Sequence, residues 1–173
     1  MTPIQRRPRS RHGSAVVSYP SDLEIVVTRV FDAPIELVFD VFTKPEHVRK
    51  HLAPFDEKVT VCSIDLRVGG DSHFVFVTED GRECSFRGTY LEIEPPFRLA
   101  GTWIFDGWPG VEARESLDLN ETDGTTTLTW KLAFPDKAAR AHWTDTRGLE
   151  ANFDKVEDVL RELVDLQATA LGR

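Results

Sequence analysis

The sequence lacks the features that would place the chain outside a reducing cytoplasm or give it an obvious chemistry. Its 173 residues hold two cysteines, Cys62 and Cys84, far apart and each inside a strand-like run. This excludes a disulfide scaffold and any metal or redox spacing, and both read as small buried hydrophobes. No apolar run approaches the ~18–20 residues of a membrane span, and no apolar segment of signal-peptide length opens the chain. A nucleophile elbow, a phosphate-binding loop, a dinucleotide fingerprint and an HExxH pair are all missing. Val68-Gly69-Gly70 is too short a glycine signal for phosphate and reads as a turn or bulge. His47 and His51 are spaced to share a helix face but have no third ligand in phase, so they read as surface histidines. No metal and no cofactor are expected.

Basic residues are scarce where a nucleic-acid surface would need them. The net charge is −8, yet residues 1–20 carry Arg6, Arg7, Arg9 and Arg11 and no acid. Setting those four aside leaves −12 on the rest, an acidic body that argues against a nucleic-acid partner. Residues 1–21 are rich in Arg, Ser and Pro and read as a disordered tail. Residues 22–173 then form a single domain with enough apolar content for a core.

The dominant feature is near the C-terminus. Leu149, Phe153, Val156, Leu160 and Leu163 recur at helical period, widened by Val159 and Leu166, with charges opposite. Asp136 can cap the start of a helix that runs to about Ala168, with Thr144–Gly148 as its weak point. Such a stripe needs a partner surface, because large apolar side chains gain ~1.5–3 kcal/mol each on burial.

The rest of the chain supplies strands. Leu23–Phe31 is dense in β-branched residues. Asp32-Ala33-Pro34 turns into a helix, with Asp32 as its cap, that ends at Lys44-Pro45; a short second helix follows. From Glu57 onward the period is two. Strands are expected at Lys58–Ile64, His73–Thr78, Cys84–Ile93, Phe97–Phe105, Val111–Asn120 and Thr125–Phe134, joined by short turns. The expected fold is α+β: a curved, seven-stranded antiparallel sheet wrapped around the long C-terminal helix, with two short helices after the first strand.

Alternation assigns faces. Phe97, Leu99, Trp103 and Phe105 share one face. Val111, Ala113, Glu115, Leu117 and Leu119 share another, as do Leu128, Trp130, Leu132 and Phe134. Phe74, Phe76, Phe86 and Tyr90 join the inward set, with Gly88 removing bulk between the last two. Glu115 is the anomaly, a carboxylate in phase with apolar neighbours. A buried carboxylate takes a proton, finds a cation or lies at an open mouth.

Four stretches resemble the family named after the activator of heat-shock-protein-90 ATPase, within the SRPBCC (START-like) helix-grip superfamily. They are Thr28-Arg29-Val30-Phe31-Asp32-Ala33-Pro34, Asp65-Leu66-Arg67-Val68-Gly69-Gly70, the run from Phe86-Arg87-Gly88 through Pro95-Pro96-Phe97-Arg98-Leu99, and Phe134-Pro135-Asp136 with Gly148-Leu149-Glu150. The resemblance implies a helix-grip fold with a hydrophobic cavity between helix and sheet. Members often carry a Trp-Trp pair after the second helix; here the stretch reads Lys50-His51-Leu52-Ala53-Pro54-Phe55, implying a less aromatic wall. Chaperone-activating members carry a separate N-terminal domain, so a chaperone partner is not expected.

The leading expectation is binding of a small apolar or aromatic molecule by Phe74, Phe76, Phe86, Tyr90, Trp103, Phe105, Trp130, Leu149 and Phe153, with Glu115 and Tyr90 fixing orientation. The alternatives are two. One is a cyclase, dehydratase or hydrolase in which Glu115 moves a proton, helped by Tyr90 or His142. The other is an interaction module with an exposed apolar patch at Trp108. A homodimer is left open.

Overall fold

The computed structural model describes residues 10–171. Eight antiparallel strands form one sheet: β1 (Val16–Ser18), β2 (Glu24–Phe31), β3 (Lys58–Ile64), β4 (Asp71–Val77), β5 (Glu83–Glu94), β6 (Arg98–Phe105), β7 (Ala113–Thr122) and β8 (Thr125–Ala133). Their order is β1-β2-β8-β7-β6-β5-β4-β3. Strands β3 to β8 follow one another as a meander, and β2 returns to pair with β8, Val27 opposite Trp130. Helices α1 (Ile35–Thr43) and α2 (Pro45–His51) follow β2; α3 (Lys137–Ala141) and α4 (Arg147–Leu171) close the chain. The core joins Ile25, Val27 and Phe31 of β2 to Leu117, Leu128, Trp130 and Leu132, and to Phe153, Val156, Val159 and Leu160 of α4. The helical stripe and the inward faces of the strands are thus one packing surface.

The sheet has an eighth strand where the sequence suggested tail. Val16–Ser18 pairs with Val26–Thr28. Polar contacts hold the preceding residues to α4. The Arg11 N–H donates to both oxygens of Glu157 (2.9 and 3.1 Å), and the Gly13 N–H donates to Asp154 (3.0 Å). The Arg11 side chain pairs with Asp32 at 2.9 Å. These partners lie far away in the sequence, so local composition does not reveal them. Residues 1–9 of the expected tail lie outside the described residues.

Four local expectations change. Asp32 does not cap α1; Pro34 is its N-cap, and the Ile35 N–H donates to Glu121 at 2.7 Å. The C-terminal helix is two helices rather than one. Asp136 caps α3 by accepting the Ala139 N–H at 2.8 Å. The chain leaves the helical path at 142–146 and restarts where Asp145 accepts the Arg147 N–H at 2.9 Å. Phe97 precedes β6 and is 57% exposed, because its strand begins one residue later. Cys84 is buried, but Cys62 is only half-buried.

Sheet curvature has a visible cause. The β5–β6 register shifts between Tyr90 and Glu92, a bulge that bends the strand. A Cβ on Gly88 would lie 2.3 Å from the Thr102 carbonyl oxygen, and one on Gly101 would lie 2.5 Å from that of Thr89. Gly88 therefore permits a close backbone approach rather than clearing space for a ligand.

Candidate functional site

Between α4 and the bent part of the sheet lies a cavity of about 380 Å³. Its floor is β4 to β8 and its roof is α4, with α2 and the 142–146 connection at the sides. The two surfaces diverge because α4 is tied to α2 at one end of the gap. Asn152 donates to the carbonyls of His51 (2.9 Å) and Leu52 (3.0 Å), and Lys155 Nζ donates to that of Ala53 (2.8 Å). Orphan carbonyls at the end of α2 are thereby satisfied. The roof is stitched to α2 rather than pressed flush onto β5 and β6.

Nine of the ten expected ligand-binding residues line this cavity: Phe74, Phe76, Phe86, Tyr90, Trp103, Glu115, Trp130, Leu149 and Phe153. Phe105 does not. It stacks on Phe86 at 4.9 Å and braces the wall from outside. His142 is exposed, stacked on Trp108 at 5.6 Å, and absent from the lining. Trp108 is half-buried against Trp103, Phe105 and Trp143, not an exposed patch.

Sequence reasoning missed two lining residues of consequence. His51 is a core residue, not a surface histidine; its Nε2 donates to the Val41 carbonyl at 3.0 Å. Burial pushes its pKa down to about 4, so the ring is neutral near pH 7. The signal was its spacing from Val48, which puts both on the buried face of α2. Trp143 also lines the cavity, 5.6 Å from Trp103 and 6.3 Å from Trp130. Its helical phase was unreadable because the helix breaks there.

Glu115 is the polar centre of the site. Flanking Ala113 and Leu117 are buried, so strand alternation carries Glu115 inward with them. Its Oε1 accepts the Trp130 Nε1–H at 2.5 Å. Burial raises its carboxyl pKa above the ordinary value, and the Trp130 hydrogen bond acts against that rise. Tyr90 is also raised, first by burial and then by the charge of Glu115. The wall just after α2 is formed by His51, Leu52 and Pro54, while Phe55 is 62% exposed.

This geometry is that of a helix-grip protein, and comparison decides the family. Residues 32–165 match the family described as Activator of Hsp90 ATPase homolog 1-like protein. The chain belongs to that family. Solved structures share the fold of this family member. Protein Ms6760 from Mycobacterium smegmatis is 18% identical, with 84% of this chain and 96% of that chain covered and a TM-score of 0.76. A protein from Rhodobacter sphaeroides is 23% identical, with coverage of 84% and 97% and a TM-score of 0.77. Protein CV1439 from Chromobacterium violaceum is 25% identical, with coverage of 82% and 99% and a TM-score of 0.72. A search of curated proteins finds no match. No helix among the described residues is long and apolar enough to cross a membrane.

Proposed function

We propose that this family member binds a small, largely apolar molecule in the space between α4 and the sheet. The observation that carries the reading is the cavity itself, about 380 Å³ and walled mainly by aromatic and aliphatic side chains. That volume falls within the ~300–1,000 Å³ of small-molecule sites. Desolvation of the ligand supplies the affinity, and the few polar groups, Glu115 and Tyr90 foremost, orient it.

Filling the void tests this. Leu149 lines the cavity from α4, so Leu149→Trp places an indole in the ligand's volume. A neutral hydrophobic dye such as Nile red should bind the native protein with a saturating fluorescence rise, and the folded variant should lose that rise. Equal dye affinity in both proteins would mean that the dye binds elsewhere and the cavity is core.

The raised carboxyl of Glu115 favours a second reading, proton transfer to a held substrate. His142 takes no part in it, because it lies outside the cavity.

A further inference from the structure

The charges around the cavity are unbalanced in one direction. Glu115 faces the void, and among the described residues it is bonded to Trp130 alone, through one oxygen. The cations nearest the lining are committed elsewhere. Arg87 forks onto Asp106 (2.6 and 3.1 Å) with its side chain more than half exposed. Lys155 is held by the Ala53 carbonyl and Asp56. His51 also lines the cavity, but its buried ring is neutral near pH 7 and donates to the Val41 carbonyl. Asp145, on the rim, adds a second carboxylate, tied to Arg147. Among the described residues, the cavity thus offers an acidic group and no available positive one.

A run of indoles starts at that acid. Trp130 is bonded to it, Trp143 lies 6.3 Å from Trp130, and Trp103 lies 5.6 Å from Trp143. Indole faces carry negative electrostatic potential and attract cations. A carboxylate with clustered indoles inside an apolar cavity is an arrangement that suits a cationic nitrogen on an apolar body.

We infer that the ligand of this cavity is an apolar or aromatic amine, its single basic nitrogen seated against Glu115 and its body against the indoles. The inference rests on the ligand-binding reading above and names its substrate class. A ligand carboxylate would meet Glu115 with no cation to offset it. A neutral ligand would satisfy Glu115 with one hydrogen bond and leave the ring potential unused. An entering neutral amine can take the carboxyl proton: the O–H bond breaks as the N–H bond forms, and an ammonium–carboxylate pair remains.

The test uses three probes that share an indole and differ at one end: tryptamine, tryptophol and indolepropionate. Each is titrated against the Nile-red-loaded full chain, native and Glu115→Gln. Tryptamine should bind about 10-fold or more tighter than tryptophol, the worth of a charge-assisted contact, with indolepropionate weakest. In Glu115→Gln the preference for the amine over the alcohol should vanish. Equal binding of amine and alcohol by the native protein, or tightest binding of the acid, would overturn the inference and leave the cavity reading intact. Failure of the dye and all three probes to bind would overturn both.

Discussion

Arg29 should be the most consequential buried charge in the molecule. It lies in phase with Ile25, Val27 and Phe31 on β2, and its side chain is 0% exposed. Its Nη2 donates to Glu157 at 2.6 Å and lies 3.2 Å from Asp154, its Nη1 donates to Ser14 at 2.9 Å, and its Nε has no partner among the described residues. Glu157→Ala removes the closest counter-charge and leaves the guanidinium in place. Breaking a buried pair from one side costs ~3–5 kcal/mol. Asp154 remains near enough to share the charge, which argues for the lower end, about 3 kcal/mol. For a domain of this size ~2–4 °C is lost per kcal/mol, so Tm should fall by roughly 6–12 °C. Glu157 also holds the Arg11 N–H, so the same variant should release the N-terminal arm. Urea denaturation gives the first quantity, and hydrogen exchange at Arg11, Gly13 and the β1 amides gives the second. A loss under about 1 kcal/mol, with arm protection unchanged, would refute the claim that Glu157 ties arm, sheet and helix together.

Three further outcomes follow from the site. The His51 pKa is about 4 when folded, against 6.5 as its ordinary value. Between those values the unfolded chain holds the extra proton, so stability should fall as pH drops through that window, by at most roughly 3 kcal/mol. His51→Gln should flatten that part of the stability–pH curve, and an unchanged slope would contradict a neutral buried ring. For Glu115 the sign reverses: a raised carboxyl contributes stability in full below 4.5 that is lost as pH rises through its folded value. Glu115→Gln should therefore stabilise the protein at pH 8 in chemical denaturation, and a loss of stability would mean that its surroundings compensate the charge. Trp130→Phe keeps most of the ring but removes the N–H on Glu115, so it should raise the Glu115 pKa, read by NMR titration of the side-chain carboxyl carbon. A fall would contradict the role given to that hydrogen bond.

What could be read from the sequence was whatever a short period encodes. Strand alternation put Trp103, Trp130 and Phe86 on the correct face because a pleated strand leaves no other choice. It marked Glu115 as anomalous because a carboxylate among Ala113, Leu117 and Leu119 breaks the pattern. By the same logic Arg29 was an equally strong signal, a cation in phase with Ile25, Val27 and Phe31. Its partners Asp154 and Glu157 are more than a hundred residues away, and its strand is too β-branched to look unusual. The N-terminal strand was illegible for a related reason: Val16–Ser18 is held by β2, and Arg11 and Gly13 by α4, none of which local composition reports. The helix break was half legible. Thr144–Gly148 read as weak, but only the Asp136 cap and the Asp145 contact to the Arg147 N–H show that the chain stops and restarts. The break swings Trp143 into the cavity wall, and the void depends on that tertiary choice.

If a small apolar molecule enters between α4 and the sheet, methyl NMR during titration with Nile red will register it. Saturating shifts are expected at Leu99, Leu117, Leu149 and Val156, whose side chains line the void, at one dye per chain. Shifts confined to exposed methyls such as Leu91 and Leu166, or none at all, would contradict it.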